Sequence, residues 1–148
     1  FGARKLENNT TNQIKIQSSV SYIWEINSRN NFYIRTKTGY LQSSNYFTNE
    51  LFRIGGIKSL RGFNEQSIFS ERYIYFNTEY RLITNNKSYL YSITDYGNID
   101  KSNYISLGLG YRFMKNKSFI DISSALGNKN TKFNLSNIQL NVNWINFF

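Results

Sequence analysis

The chain has 148 residues, with 18 Lys or Arg against 9 Asp or Glu, and carries a formal net charge of +9. It contains 12 Tyr, 12 Phe and 2 Trp but no Pro, Cys or His. This composition excludes a disulfide framework, a thiolate nucleophile and the usual histidine-based metal and catalytic sites. We therefore expect a protein that is not an enzyme, with no catalytic residue, no bound metal and no cofactor.

The basic residues do not form a nucleic-acid-binding track. They stand singly in strands and turns, as in 115–117 and 128–130. Scattered cations of this kind are typical of solvated ends and lipid-headgroup contacts, so we expect no nucleic-acid partner. Asp100 and Asp121 are likewise expected to solvate strand or loop ends.

The dominant pattern along the chain is an alternation of apolar and polar residues with a period of two, which predicts β-strands. In 104–113, the clearest case, Ile105, Leu107 and Leu109 alternate with small or polar residues. The predicted strands, in chain order, are 13–26, 31–43, 71–84, 88–98, 103–114, 118–127 and 137–148, with the stub of an eighth at 1–6.

The connections between these strands are expected to alternate in length. Short turns rich in Asn, Lys and Ser are predicted at 27–30, 85–87 and 115–117. Longer connections are predicted at 7–12, 44–70 and 128–136, and an intermediate one at 99–102. Short turns at one end and long loops at the other are typical of outer-membrane β-barrels, in which the short turns are periplasmic.

Strand length and aromatic residues favour a membrane barrel over a soluble sandwich, which shows the same period. The predicted strands have 10–14 residues, whereas strands of soluble sheets have about 5–6. Aromatic residues collect near strand ends, where girdles contact the headgroup zone; they are Tyr89, Tyr104, Phe113, Phe119, Phe147 and Phe148. The predicted fold is all-β, an antiparallel transmembrane β-barrel in contact with outer-membrane lipids.

The longest connection carries the run Gly-Gly-Ile-Lys-Ser-Leu-Arg-Gly-Phe over 55–63, which contains Gly55, Gly56, Arg61, Gly62 and Phe63. This run resembles the loop motif of the BamA/TamA-type outer-membrane assembly and translocation superfamily, which also includes two-partner secretion transporters. Later segments fit the same family in order, and the residues concerned are Glu79, Asp95, Gly97, Gly108 and Gly110. The last strand is similar to the family's C-terminal β-signal strand through Leu140, Val142, Trp144 and Phe148.

The resemblance implies a sixteen-stranded barrel preceded by POTRA domains, in the outer membrane of a bacterial cell. Residues 1–148 are then the C-terminal portion of one barrel domain, comprising its last seven to eight strands, and the upstream strands and POTRA domains lie outside the chain. The loop 44–70 is implied to fold back into the lumen.

The residues themselves support an anchor for this loop. The planar guanidinium of Arg61 matches a carboxylate with two parallel hydrogen bonds, and Glu79 lies on the polar face of its strand. Asp95 shares that face if the register allows. Gly62, Gly55 and Gly56 permit sharp turns or close approach to the wall, Phe63 packs as the apolar part of the anchor, and Gly108 and Gly110 leave space for the loop.

Three functions compete at this point. The first is an insertase that assembles unfolded outer-membrane clients at an open strand edge, with accessory assembly subunits as candidate partners. The second is a two-partner-type secretion pore for unfolded secreted clients, with the loop as a movable plug. The third is a passive structural barrel of eight strands, the smallest size known. Of these three functions we expect the insertase, because the loop motif resembles that of the assembly superfamily.

Overall fold

The computed structural model describes residues 2–6, 9–130 and 137–147, and these residues form an all-β structure. In this part of the chain, no helix has the length and apolar character needed to cross a membrane. The strands are β1 (Gly2–Leu6), β2 (Asn9–Asn27), β3 (Asn30–Ser43), β4 (Phe52–Ile54), β5 (Ile68–Ser70), β6 (Arg72–Asn85), β7 (Ser88–Ile99), β8 (Ser102–Lys115), β9 (Ser118–Lys129) and β10 (Ile138–Asn146).

Eight of these strands form one antiparallel meander in the order β1-β2-β3-β6-β7-β8-β9-β10. The remaining two, β4 and β5, pair with each other within the connection from β3 to β6. Within the described residues, β1 and β10 each pair on one side only, so the sheet is open. The predicted all-β antiparallel fold is confirmed, and these residues do not form a closed eight-stranded barrel.

The connections depart from the predicted alternation in two places. The segment 7–12 was expected to be a longer connection, but β2 begins at Asn9 and pairs with β1 down to Leu6. The intermediate connection 99–102 is a two-residue turn, in which Asp100 and Lys101 have positive φ. Of the predicted loop 128–136, residues 131–136 lie outside the described part of the chain.

The two faces of the sheet have inverted polarity compared with a soluble protein. One face, here called the outer face, carries large apolar side chains that are widely exposed, such as Val20 at 67%, Leu109 at 70% and Leu140 at 74%. The opposite inner face buries polar side chains: Asn77, Glu79, Asp95, Ser106, Asp121 and Ser123. A sheet with its apolar side outside suits contact with hydrocarbon on the outer face and a polar lumen on the other.

The sheet curls around its inner face. Ile23 on β2 and Asn143 on β10, which lie near opposite ends of the strand order, line the same cavity of about 400 Å³. Arg61 from the long connection lines it as well. The connection between β3 and β6 therefore lies on the concave side.

A small apolar core lies between this connection and the wall. Its buried members are Leu41, Phe52, Ile54, Leu60, Tyr73, Tyr75, Ile99 and Tyr104. The ring of Tyr73 meets the ring of Phe52 edge-on at 5.1 Å and stacks on that of Tyr75 at 5.4 Å. Because Phe52 lies in β4 while Tyr73 and Tyr75 lie in β6, this core fixes the base of the connection against the inner face.

The predicted aromatic girdle is only partly present. Tyr104 is buried on the inner face against Phe63, and the rings of Tyr89 and Phe119 contact the inner-facing Arg112. Alternation decides this outcome, since a residue near a strand end faces lipid only when its position in the pleat points outward.

A charge placed on the outer face of β10 tests the orientation of the sheet. Val142 points outward and is 66% exposed, whereas its neighbour Asn141 points inward. We expect Val142→Arg to destabilise the full-length protein in lipid vesicles by about 2–4 kcal/mol, as for a cation facing the bilayer midplane. Asn141→Arg should cost less than about 1 kcal/mol. Equal small effects, measured by reversible unfolding from vesicles, would contradict the lipid-facing assignment.

Candidate functional site: the tethered inner loop

The candidate site is the segment 55–67, here called the inner loop, which joins β4 to β5 and packs on the inner face. Two glycines with positive φ, Gly55 at 112° and Gly56 at 95°, start the loop. The Gly56 N–H donates to the carbonyl oxygens of Leu60 and Phe63 at 3.1 and 3.0 Å. These bonds close the loop into a compact turn that presents Arg61 to the wall.

Arg61 forms ion pairs with two acidic residues of the wall. Its Nη2 and Nε donate to the two carboxylate oxygens of Asp95 at 2.5 and 2.9 Å, and its Nη1 donates to Glu79 at 2.5 Å. The backbone N–H of Arg61 also donates to Asp95, at 3.0 Å. All three residues are buried, with exposures of 4% for Arg61, 4% for Glu79 and 0% for Asp95.

A β-bulge places the two acids on the same face. The tight turn pairs Asn85 with Ser88. If this register continued along both strands, each odd-numbered residue of β6 would lie opposite an even-numbered residue of β7, and Glu79 and Asp95 would be on opposite faces of the sheet. The register shifts between Ile83 and Asn85, so that Asn77 lies opposite Asp95. Glu79 then lies diagonally across from Asp95, close enough for one guanidinium to reach both carboxylates.

The two acids differ in how they are neutralised. Glu79 also accepts from Arg81, whose Nη2 lies 2.7 Å away, and the Arg81 guanidinium lies over the rings of Tyr33 and Tyr89. Among the described residues, Asp95 has Arg61 as its only ion-pair partner. Loss of Arg61 would therefore leave Asp95 as a buried carboxylate without a cation, while Glu79 would keep one.

Burial and the acids act in opposite directions on the pKa of Arg61. Burial favours the neutral guanidine, but the hydrogen bonds and negative charges of Asp95 and Glu79 outweigh it, so the pKa of Arg61 is raised. The guanidinium is therefore charged, and its contact with the two acids is ionic.

Polar side chains of the wall also hold the loop backbone. The Nδ2 of Asn77 donates to the Ser59 carbonyl oxygen at 2.7 Å, and an Nη2 of Arg35 donates to the Lys58 carbonyl oxygen at 3.0 Å. The same guanidinium donates to Asn77 Oδ1 at 2.6 Å. Two adjacent carbonyl groups of the loop are thus bound by residues of β3 and β6.

On its other side the loop contacts the wall backbone directly. Gly62, with φ of 82°, lies so close to Gly127 of β9 that a Cβ built on Gly127 would be 2.4 Å from the Gly62 carbonyl oxygen. The Phe63 ring meets the Tyr104 ring edge-on at 5.4 Å. The Arg-Gly-Phe segment therefore bridges from β6 and β7 to β8 and β9.

The structure corrects the predicted role of two glycines. Gly108 and Gly110 lie on the inner face, but the atoms nearest to a Cβ at these positions belong to Ser124, Ala125 and Tyr91 of neighbouring strands. Gly108 therefore allows the β9 backbone to lie close, and Gly110 makes room for the Tyr91 ring; neither faces the loop. Gly97, also predicted, does face the loop, since its Cβ would lie 3.0 Å from a methyl carbon of Leu60.

Gly127, which sequence reasoning did not single out, supplies the space that the loop uses. It shares the inner face of β9 with Ala125 and Ser123, and the alternation of that strand places it there. Its proximity to Gly62 depends on the path of the loop, which local sequence does not define.

A second buried ionic cluster was also missed. Asp121, expected to solvate a strand end, is only 2% exposed, forms an ion pair with Arg112 and accepts from the Tyr91 hydroxyl at 2.5 Å. Arg112 also donates to the Tyr89 hydroxyl at 2.6 Å. The tight turn at 116–117 places Arg112 opposite Asp121, and this register was a usable signal. Asp100 does lie at a strand end, where it accepts from the Arg72 N–H at 3.1 Å.

The predicted C-terminal strand residues lie on the outer face. Leu140, Val142 and Trp144 are 74%, 66% and 67% exposed, and β10 ends at Asn146. Phe148 lies outside the described residues.

The fold and site together define a curved sheet that faces lipid on one side and holds a tethered loop on the other. A family model described as haemolysin secretion/activation protein ShlB/FhaC/HecB matches residues 1–113, about three quarters of the chain. The chain belongs to this family. Its members are outer-membrane transporters of Gram-negative bacteria, in the superfamily that the loop motif indicated. No individual curated protein matches the chain significantly.

Glu79 has a second cation and Asp95 has none among the described residues, so removing the charge of Asp95 should have the larger effect on the loop. Asp95→Asn removes the negative charge of the residue that accepts three hydrogen bonds from Arg61. This substitution should weaken loop attachment by about 3–5 kcal/mol. Glu79→Gln leaves those bonds in place and should cost less. Hydrogen exchange of amides 56–64 in the full-length protein measures both, and equal loss of protection would contradict the ranking.

The two loop-facing glycines should also differ. In Gly127→Ala the new Cβ meets backbone atoms of Gly62, which cannot move without shifting the loop, so faster amide exchange in 56–64 is expected. In Gly97→Ala the new Cβ lies 3.0 Å from a Leu60 methyl carbon and 3.2 Å from the Tyr75 Cβ, contacts less close than those at Gly127, so a smaller increase in exchange is expected. The reverse order would show that the Gly62–Gly127 approach does not fix the loop.

Proposed function

We propose that the chain is part of a secretion pore of the two-partner type, and that the inner loop is its movable plug. The observation that carries the proposal is the buried Arg61, which ties the loop to Asp95 and Glu79 on the concave side of a sheet with an apolar exterior. The family description, haemolysin secretion/activation, favours export over the insertase first expected.

The open sheet supports a larger barrel. Since β1 and β10 each have an unpaired edge within the described residues, we propose that further strands complete a barrel, sixteen in number by the resemblance, with POTRA domains before it. A wider barrel has a polar lumen that can hold a loop, whereas eight strands enclose a lumen filled by side chains. The proposal assigns no catalytic residue.

The contacts of the loop suit a plug that can be withdrawn. Its apolar core is centred on Phe52 and Tyr73 at the base and reaches Leu60, whereas Arg61 and the carbonyl groups before it are held by charged and polar contacts. Charged contacts can be exchanged for water, or for charged groups of a passing chain, at less cost than a large apolar interface. We propose that an unfolded client polypeptide displaces the tip while the β4–β5 base stays attached.

An insertase remains the second candidate because of one observation. β10 presents one unpaired edge among the described residues and apolar residues toward lipid. Such an edge is able to template a client strand by β-augmentation. The two functions differ in the client's destination, which is the outside medium for a pore and the membrane for an insertase.

Removal of the Arg61 side chain tests the plug. Arg61→Ala should leave a folded, membrane-inserted protein, because the strands do not depend on the loop tip for pairing. It should detach the tip because both ion pairs of the loop are lost and Asp95 is left buried without a cation, a loss of about 3–5 kcal/mol. We expect larger single-channel conductance in planar bilayers and at least a tenfold change in export of a co-expressed client.

Arg53→Ala provides the matched control. Arg53 lies in β4 of the same connection, is exposed and stacks over Phe69 without touching the wall acids. This variant should behave as the wild type. Wild-type conductance and export in Arg61→Ala would overturn the plug, and a defect in membrane insertion of clients with normal export would favour the insertase.

A further inference from the structure

The end of the sheet that carries the short turns has a repeated arrangement of cations. Three two-residue turns join β2 to β3, β6 to β7 and β8 to β9. The second residue of each turn is basic, namely Arg29, Lys87 and Lys117. All three side chains are exposed, and none forms an ion pair with a described acid.

The backbone holds these three residues in equivalent positions. The carbonyl oxygen of Arg29 accepts from the Ile83 N–H at 2.7 Å, that of Lys87 from the Met114 N–H at 2.7 Å and that of Lys117 from the Phe147 N–H at 2.8 Å. Each turn is therefore bonded to the next strand of the sheet. The result is a row of fixed cations along one rim, here called the cationic rim.

Among the described residues, the opposite rim carries both signs of charge. Its basic residues Arg72, Lys101 and Lys129 stand among the acids Glu50, Glu71 and Asp100. The three short turns, 28–29, 86–87 and 116–117, contain no acid. The charge difference between the two ends is therefore a property of the fold, since the meander brings these separate turns to one side.

Aromatic side chains lie on the outer face just inside the cationic rim. Trp24, Tyr80 and Trp144 are 65%, 46% and 67% exposed, and Phe32 lies opposite both Trp24 and Tyr80 in the sheet. Indole and phenol rings favour the headgroup zone of a bilayer. This belt places the three cations at the level of the phosphate groups.

We propose that the cationic rim binds anionic phospholipid headgroups, of the phosphatidylglycerol type, at the short-turn side of the membrane. The short turns are assigned to the periplasmic side, where the leaflet consists of phospholipid. A basic side chain near an anionic surface contributes about 1 kcal/mol, which corresponds to about fivefold in affinity. The inference requires a lipid-facing sheet and does not depend on whether the protein exports or inserts its clients.

The two tryptophans make the inference measurable. Both of them, Trp24 and Trp144, lie in the belt beside the rim. Any tryptophan of the full-length protein outside these 148 residues is first replaced by phenylalanine. The protein is then placed in phosphatidylcholine vesicles that contain either brominated phosphatidylglycerol or brominated phosphatidylcholine. Bromine quenches only nearby indoles, so the ratio of quenching reports which lipid is enriched at this rim.

We expect about fivefold enrichment of phosphatidylglycerol at low salt, decreasing as salt is added. The variant Arg29→Gln/Lys87→Gln/Lys117→Gln should reduce the enrichment to near one. The control Arg72→Gln/Lys101→Gln/Lys129→Gln removes the same number and types of cations from the opposite rim and should retain it.

Three results would overturn the proposal. They are equal quenching by both lipids in the wild type, enrichment that persists in the short-turn variant, and loss of enrichment in both variants. Equal quenching by both lipids would favour a protein partner as the ligand of the cationic rim. Export by the same variants, measured separately, distinguishes a failure of this inference from a failure of the secretion proposal.

Discussion

The inner loop depends on one buried guanidinium shared between two carboxylates. Charges in a poorly hydrated lumen are stable only when they are paired, so Arg61, Asp95 and Glu79 each require the contact. The requirement is strongest for Asp95, because Glu79 has Arg81 as a second partner. The arrangement links the position of the loop to the electrostatics of the wall, so the loop cannot leave without a substitute for its charge.

The contacts around this ion pair differ between the base of the connection and the tip of the inner loop. At the base of the connection, Phe52 and Tyr73 bury apolar surface and resist displacement. At the tip, Asn77 and Arg35 bind carbonyl groups that water can also bind. Leu60 and Phe63 add apolar contacts near the tip, so movement of the tip requires these side chains to leave the core in addition to the loss of the polar contacts.

The inverted polarity of the sheet provides the setting for this contact. In a soluble protein the exposed Val20, Leu109 and Leu140 would form an adhesive surface, and the buried acids of the inner face would lack a reason for their position. Against lipid the same pattern is consistent, since hydrocarbon contacts the outer face and a polar lumen contacts the inner one. The membership of the chain in a secretion family agrees with this assignment.

The sequence by itself determined the eight strands of the main sheet, their alternation and the chemistry of the loop motif, but not the short β4–β5 pair inside the connection 44–70. Period-two patterns define β6 and β8 to within a residue or two because each side chain must face either lipid or lumen. The Arg61 motif and the acids Glu79 and Asp95 were identified through their resemblance to a known family, while the alternation placed Glu79 on the polar face of its strand.

Only the tertiary structure decided which of these groups meet. The bulge near Thr84, which the tight turn 86–87 does not predict, shifts the register of β6 and β7 by one residue and so puts Glu79 and Asp95 on one face. The path of the loop then selected Gly127 over Gly108 and Gly110 as the point of closest approach. Register shifts and loop paths depend on contacts between segments distant in sequence, and a local pattern does not contain that information.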